Sequence, residues 1–256
     1  MKKLTTSALL LSVWLCSCTH YYYVPNVQNV PLFKEKNEFR LSGAFGGGDV
    51  STSIDLQAAF SISDHIGMIT NYLYAYGGDA SKNDWGKGSY FEGALGYYKT
   101  ISKYGVFEIY GGLGGSNQQH QYSVHPWGSG SYTSTGTSDL SFTKLFVQPS
   151  LGLTLKGLDI AFSTRLCNLS FNKIDNQINR QTDESEYNNL NSIAQNKRYM
   201  FLEPAITLRV GLKNIKVQVQ AAFSSYLNSD LYFERAHISF GLYFNIVQKP
   251  GEIVVY

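Results

Sequence analysis

The chain has 256 residues, of which 21 are basic and 19 acidic, and its formal net charge at pH 7 is +2. Only 16% of the residues are charged and 14% are aromatic, whereas an average soluble domain carries about 25% charged residues. This composition is too apolar and too aromatic for a disordered chain, and its charges are too evenly balanced for a nucleic-acid-binding protein. No run of about 20 apolar residues follows the N-terminal region, which excludes a helical membrane span there.

The first seventeen residues have the pattern of a secretory signal peptide. Two lysines precede an apolar run over residues 4–15, which is too short for a stable membrane span. The run ends in Leu15-Cys16-Ser17-Cys18, which resembles a bacterial lipobox: an aliphatic and a small residue stand at the required places before Cys18, whereas Cys16 departs from the motif. The resemblance predicts lipidation of Cys18. The alternative is an ordinary cleavage site after a small residue.

The sequence divides into four predicted segments. These are a signal peptide over residues 1–17, the lipidated Cys18 with a periplasmic tether over 18–37, a barrel over 38–247, and a periplasmic tail over 248–256. Residues 19–36 are assigned to a tether because they show neither the helical nor the strand period. Two of the three cysteines, Cys16 and Cys18, lie in the signal and lipobox region, which leaves Cys167 alone and excludes a disulfide framework in the mature chain.

The region after Asn37 alternates between apolar and polar residues with the period of two that is typical of strands. Nine of the ten segments have one aliphatic or aromatic face and one face of Gln, Ser, Gly and a few charged residues. The third segment is apolar on both faces, so the pattern does not determine which of its faces points into the barrel. The ten predicted strands cover residues 38–46, 53–62, 65–76, 89–99, 105–115, 142–154, 158–171, 199–210, 214–226 and 232–246.

The connections between these segments alternate as well. Tight turns follow every second strand, whereas the longest links, over residues 77–88, 116–141 and 172–198, all fall at the other end. This asymmetry is typical of outer-membrane barrels. The sequence therefore predicts an all-β fold, a ten-stranded antiparallel transmembrane β-barrel with up-and-down topology. Both termini would then be periplasmic, with the lipid of Cys18 in the inner leaflet.

A soluble, lipid-tethered barrel or sandwich would show the same alternation with its apolar face turned inward. Tyrosines near the strand ends and strand lengths close to the 9–11 residues of a tilted membrane strand favour the membrane barrel. Pro149 and Pro204 fall inside predicted strands, where each removes a ladder hydrogen bond. We therefore expect β-bulges at both positions.

The lipobox, the Tyr-Val-Pro-Asn sequence at residues 23–26 and the strand pattern together resemble the small lipid-anchored outer-membrane β-barrel proteins of Gram-negative bacteria. The resemblance implies location and architecture. It supplies no catalytic motif, and we expect neither an enzyme, nor a cofactor, nor a metal site. The expected partners are outer-membrane lipid and, through the loops, an envelope protein or a surface glycan, without nucleic acid.

On the predicted facings, acidic and basic side chains point into the lumen in equal numbers. A ten-stranded lumen is narrow enough to be filled by side chains, and an unpaired charge in it would be costly. We therefore predict a network of ion pairs with Glu203 paired to one of the arginines. Its members are Arg165, Glu203, Arg209, Arg235, Glu92 and Asp55.

The long links carry the candidate recognition residues. The link over 116–141 holds aromatic residues among Gly, Ser and Thr, and the link over 172–198 predicts a short helix capped by Thr182 with an apolar stripe. That stripe needs cover from the barrel rim or from another protein. The predicted recognition residues are Trp127, Tyr122, Tyr132, Tyr187 and Leu190. His120 and His125 make a poor metal pair without further ligands.

These observations predict a non-enzymatic outer-membrane β-barrel lipoprotein whose extracellular loops serve recognition or docking to a larger envelope assembly. The first alternative is a narrow pore for small solutes. The second is an omptin-like peptidase or a lipid hydrolase at the rim, where His237 and Ser239 share one strand face. The acids Asp55, Glu92 and Glu203 would serve that enzyme, but nothing in the sequence brings a third partner to His237 and Ser239.

Overall fold

The structure, a computed structural model, describes residues 20–126, 130–227 and 231–247. The signal peptide over 1–17, Cys18, Trp127 and the tail over 248–256 lie outside these ranges. Neither of the two helices found in the described ranges is both long and apolar enough to cross a membrane.

Ten antiparallel strands form a closed barrel, which confirms the predicted fold. Each strand pairs with its neighbour in sequence, β9 pairs with β10, and β10 returns to β1. The strands are β1 (Glu38–Gly47), β2 (Ser51–Ser61), β3 (Ile66–Asp79), β4 (Asp84–Thr100), β5 (Gly105–Val124), β6 (Thr133–Leu155), β7 (Leu158–Asn176), β8 (Arg198–Gly211), β9 (Ile215–Phe223) and β10 (Ala236–Val247). Beyond β9, Ser225–Tyr226 pairs with β8 in the same register.

The apolar face of each strand points outward. Phe45, for example, is 74% exposed, and Phe91, Leu113 and Phe240 are exposed at similar positions of other strands. A continuous apolar exterior of this kind is stable in lipid, which removes it from water. In β3, the strand whose facing the sequence left open, Asn71 points inward with its apolar neighbours Ile69, Leu73 and Ala75. The soluble alternative requires the opposite facing.

Strands β5, β6 and β7 are longer than predicted, with 20, 23 and 19 residues. About 9–11 residues suffice to cross the bilayer, so these strands extend past it at the end with the long links, here called the long-loop end. The predicted 116–141 loop is thus mostly a hairpin of β5 and β6. The outer face of this hairpin is polar. The apolar alternation of a lipid-facing strand is therefore missing from its sequence, and the alternation could not predict these strand extensions.

The prolines do not sit in bulges, so that prediction is wrong. The pairing of β6 with β7 skips Gln148 and Pro149 without a register shift. The pairing of β8 with β9 and with Ser225–Tyr226, which continues β9, skips Glu203 and Pro204 in the same way. Each proline lies beside an interruption where its missing N–H is not needed. The register shifts found in these sheets lie elsewhere, at Tyr122/Ser123 and Ser141/Phe142.

Residues 20–33 run through the barrel interior, and we call them the lumen segment. They correct the prediction of a periplasmic tether, because Tyr22, Tyr23, Val30 and Phe33 are at most 1% exposed. The segment begins beside the start of β4, where His20 contacts Asp84 at the long-loop end. It reaches the end with the tight turns, called the short-turn end, just before β1 begins.

Two short helices lie at the long-loop end, a 3-10 helix at Ala80–Lys82 and α1 at Glu184–Gln195. The predicted helix in the 172–198 link is therefore present, but its cap is Asp183 rather than Thr182. The Asp183 carboxylate accepts a hydrogen bond from the Glu186 backbone N–H at 3.1 Å. A carboxylate at this position also interacts favourably with the helix dipole.

Candidate functional site

A buried polar network joins the lumen segment to the barrel wall at mid-height. Arg165 on β7 donates from Nη2 to Glu92 Oε1 at 3.0 Å and from Nη1 to Asn26 Oδ1 of the lumen segment at 2.8 Å. Glu203 Oε2 lies 3.9 Å from Arg165 Nη1 and 3.5 Å from Lys144 Nζ. All four charged side chains are at most 1% exposed, so the two carboxylates compensate the two cations inside the low-dielectric lumen.

Tyr23 is the second contact of the lumen segment with this network. Its hydroxyl donates to Glu203 and accepts from Lys144 Nζ at 2.7 Å. The ammonium of Lys144 also lies 5.2 Å from the centre of the Tyr23 ring. The phenol therefore bridges a cation and a carboxylate, and the lumen segment becomes part of the barrel core.

Three of the six predicted network residues, Arg165, Glu203 and Glu92, meet in this network. Arg209 lies apart from it: its Nε donates to Gln218 Oε1 at 2.6 Å, and its guanidinium carbon lies 3.9 Å from the centre of the Tyr243 ring. Arg235 is exposed outside the lumen, so its placement in the network was wrong. The strand period applies only within a strand, and β10 begins one residue after Arg235.

Asp55 belongs to a separate buried cluster around His237. His237 Nδ1 lies 2.8 Å from Glu234 Oε1, and its Nε2 lies 3.2 Å from Ser53 Oγ and 3.6 Å from Asp55 Oδ2. The hydroxyl of Ser53 donates to Asp55 Oδ2 at 2.8 Å. Ser239, the residue that the sequence paired with His237, makes no hydrogen bond through its hydroxyl in the described part of the chain.

The His237 cluster has the connectivity of a Ser–His–acid triad but the wrong electrostatics. The Ser53 proton is directed at Asp55 rather than at the imidazole. Two carboxylates flank His237, which favours the doubly protonated imidazolium, and an imidazolium cannot act as a general base. Ser53, His237 and Glu234 are also buried, and none of them lines the cavity described next.

A cavity of about 520 Å³ opens at the long-loop end between the lumen segment and the inner faces of β3, β4 and β5, and we call it the rim cavity. Gly86 and Gly88 occupy inward positions of β4 there, so the wall carries no side chains at those places. Its other walls combine apolar and aromatic groups with hydrogen-bonding side chains. These include Tyr21, Val24, Leu73, Tyr90, Phe142, Ser116, Gln118 and His120, together with the charged residues Asp49, Asp79, Lys82, Asp84 and Lys87.

A histidine pair forms one edge of the rim cavity. His20 Nε2 lies 2.9 Å from Asp84 Oδ1, and His20 Nδ1 lies 3.3 Å from His120 Nδ1. The first residue of the lumen segment is thus held by β4 and β5 together. The sequence did not indicate this contact, because His20 falls in the segment predicted as a tether, and Asp84 and His120 fall in links predicted as loops.

Tyr22 connects the lumen segment to α1 above the rim cavity. Its hydroxyl donates to Glu186 Oε2 at 2.8 Å and lies 3.4 Å from the Tyr122 hydroxyl. Burial, with smaller contributions from Tyr122 and Glu186, raises the pKa of Tyr22 well above its ordinary value. The phenol therefore stays protonated and acts as a hydrogen-bond donor at physiological pH.

Two of the five predicted recognition residues, Tyr122 and Leu190, are buried and therefore not available for docking, which corrects the sequence analysis for these two. Tyr122 is 1% and Leu190 0% exposed, and Tyr187 packs against the same cluster of buried side chains. The apolar stripe of α1 is covered by the barrel mouth, because Leu190 and Ile193 join the core that contains Tyr22. Of the two remaining residues, Tyr132 is exposed and Trp127 lies outside the described residues.

Within the described residues, no group of three or more His, Cys, Asp or Glu side chains is arranged to hold a metal ion. No protein-family model matches the sequence, and no curated protein matches it significantly. Solved structures with a similar fold include the outer-membrane protease OmpT from Escherichia coli, with 10% identity, a TM-score of 0.46, and coverage of 85% of this chain and 99% of that one.

An outer-membrane channel from Pseudomonas putida F1 is similar at 11% identity and a TM-score of 0.46, covering 85% of this chain and 100% of that one. The translocator domain of the autotransporter NalP from Neisseria meningitidis is similar at 9% identity and a TM-score of 0.43, over 81% and 86% of the two chains. A protease, a channel and a translocator appear together, and similarity this weak assigns none of these activities to the chain.

Proposed function

We propose that this chain is a sealed outer-membrane β-barrel that recognises a small polar ligand of the saccharide class in the rim cavity. It catalyses no reaction and conducts no solutes. The observation that carries the proposal is the lumen segment, which fills the barrel and leaves a shaped cavity at the long-loop end. The apolar exterior supports a place in the outer membrane, with lipid as the surrounding partner.

The filled lumen argues against the pore alternative. Polar contacts between the lumen segment and the wall occur along the whole barrel, from His20 with Asp84 near the top to the Phe33 N–H, which donates to Glu108 Oε1 at 3.1 Å. Between these ends lies the Arg165 network. A solute would have to break buried ion pairs to pass, and a buried charge that loses its partner is costly.

The His237 cluster supports the absence of catalysis. A rim hydrolase needs a neutral base beside a nucleophile that substrate can reach. Here the Ser53 hydroxyl donates to a carboxylate, the imidazole lies between two acids, and the whole cluster is buried. These contacts support a structural role, in which the cluster joins the lumen wall to Glu234 in the chain before β10.

The rim cavity has the size and the lining of a ligand site. Its volume of about 520 Å³ lies within the roughly 300–1,000 Å³ that is usual for small-molecule pockets. Tyr21, Tyr90 and Phe142 offer aromatic surface, while Gln118 and Ser116 offer amide and hydroxyl groups. Aromatic faces beside amide, hydroxyl and carboxylate groups, the last from Asp49 and Asp84, suit the apolar ring faces and the hydroxyls of a saccharide.

A binding experiment tests this recognition. Purified protein in detergent is titrated calorimetrically with short oligosaccharides released from the surface polysaccharide of the producing cells. Gln118→Ala removes an amide that lines the cavity and also donates to the Tyr22 carbonyl at 3.2 Å, and Gln119→Ala removes the same group from the exposed neighbour on the outer face of β5. We expect about tenfold weaker binding for Gln118→Ala, the cost of one hydrogen bond, and unchanged binding for Gln119→Ala.

Two results would contradict the recognition proposal: no binding of any oligosaccharide by the unmodified protein, or equal weakening by both substitutions. Sealing is tested separately by current recordings in planar bilayers. The unmodified protein should give no discrete conductance steps. Reproducible steps from pure protein would favour the pore alternative instead.

A further inference from the structure

The lumen segment has a fixed direction through the barrel. At the long-loop end, His20 contacts Asp84 at the start of β4, and the Glu234 backbone N–H donates to the Tyr23 carbonyl at 3.0 Å. At the short-turn end, the Lys34 backbone N–H donates to Glu38 Oε2 at 2.8 Å. The N-terminal end of the segment therefore lies at the long-loop end, opposite to the place where β1 begins.

The length of the segment agrees with a complete crossing. An extended chain covers about 3.3 Å per residue, so residues 20–33 reach roughly 45 Å. The hydrocarbon core of a bilayer is about 30 Å thick. The segment thus passes the full barrel and brings its first residue beyond the lipid belt.

We propose that the mature N-terminus leaves the barrel at the long-loop end and faces the cell exterior. In the sequence, Cys18 stands only two residues before His20. Short turns of outer-membrane barrels face the periplasm and long loops face outward. The acyl chains predicted on Cys18 therefore meet the outer leaflet, which replaces the sequence expectation that they insert in the inner leaflet.

The barrel mouth leaves room for this exit. Tyr21 is only half-buried and lines the rim cavity on one side of the segment. It also lines a second cavity of about 590 Å³, which lies on the side of α1 and Tyr232. Tyr21 thus borders open space on both sides at the long-loop end of the barrel.

Chemical labelling of substituted cysteines in intact cells tests the direction of the segment. The variant Tyr21→Cys is treated with a membrane-impermeant maleimide before and after cell disruption. Gln181→Cys, in the exposed link before α1, marks the long-loop side, and Lys103→Cys, in the exposed turn before β5, marks the short-turn side. The parent chain sets the background, and its only described cysteine, Cys167, is buried.

We expect Tyr21→Cys, like Gln181→Cys, to be labelled in intact cells, while Lys103→Cys reacts only after disruption. Thr19→Cys provides a second variant with the same expected result, should the Tyr21 substitution disturb the barrel mouth. Labelling of Tyr21→Cys and Thr19→Cys only after disruption, together with Lys103→Cys, would overturn the inference. The result is independent of ligand binding, so failure of the saccharide assay leaves it unaffected.

Discussion

Replacing Arg165 by alanine removes the cation that links the lumen segment to two strands. Arg165 donates to Asn26 at 2.8 Å, to Glu92 at 3.0 Å and to Gln148 at 2.8 Å, and it is completely buried. Breaking a buried ion pair by removing one partner costs about 3–5 kcal/mol. The structure places Arg165→Ala at the lower end, because Glu92 keeps hydrogen bonds from Asn26, Asn71 and Tyr90.

The free energy of unfolding is measured by urea titration in detergent micelles, with the heat-dependent gel shift of the folded barrel as readout. A loss of about 3 kcal/mol lowers the ratio of folded to unfolded protein about 150-fold. The matched control is Arg180→Ala, whose side chain lies 3.1 Å from Glu184 but is 65% exposed. An exposed pair of the same kind contributes at most about 1 kcal/mol. Equal losses for the two variants would refute the assignment of Arg165 to a buried, water-free network.

Three further substitutions test separate parts of the structure. A Cβ on Gly67 would lie 2.9 Å from the Phe33 ring, whereas a Cβ on Gly111 would meet no atom within 4 Å. Gly67→Ala should therefore lower the free energy of unfolding by about 1–3 kcal/mol, and by less in a Phe33→Ala background. The control Gly111→Ala should leave the free energy of unfolding unchanged. Leu190→Ala should loosen the packing of α1 on the barrel mouth, because the Leu190 side chain is buried there. Proteases should then cleave the link over 172–198 faster, and an unchanged cleavage rate would contradict the burial of Leu190. His237→Ala should destabilise the barrel by about 3 kcal/mol because it leaves two buried carboxylates without their cation; loss of a hydrolase activity with unchanged stability would support the enzyme alternative.

The strand pattern predicted the barrel because lipid imposes a strict alternation. Every lipid-facing position must be apolar while the lumen takes polar and small residues, so Leu56 and Gln57, for example, fall on opposite faces with no ambiguity. The same reasoning brought Arg165, Glu203 and Glu92 into the lumen. It failed at Arg235, one residue before β10, because the alternation ends with the strand.

The lumen segment could not be recognised from periodicity, because its residues form no ladder apart from one bridge between Tyr23 and Phe233. They bind instead through side chains and scattered backbone groups, such as the Gln28 N–H, which donates to Gln220 Oε1 at 2.7 Å. A different signal was present. Residues 19–33 contain no Asp, Glu, Lys or Arg, and they include three tyrosines, three valines and Phe33. So apolar a stretch is unusual for a chain exposed to water.

Hydrogen exchange of the lumen segment tests the central claim most directly. The full-length protein in detergent is exposed to deuterated buffer, digested, and analysed by mass spectrometry for peptides that cover residues 20–33. The N–H groups of Val27, Gln28 and Phe33 are buried and donate to Asp55, Gln220 and Glu108. We predict that these peptides exchange as slowly as those of β7 and β8. Complete exchange within seconds would show a free tether and contradict the sealed barrel.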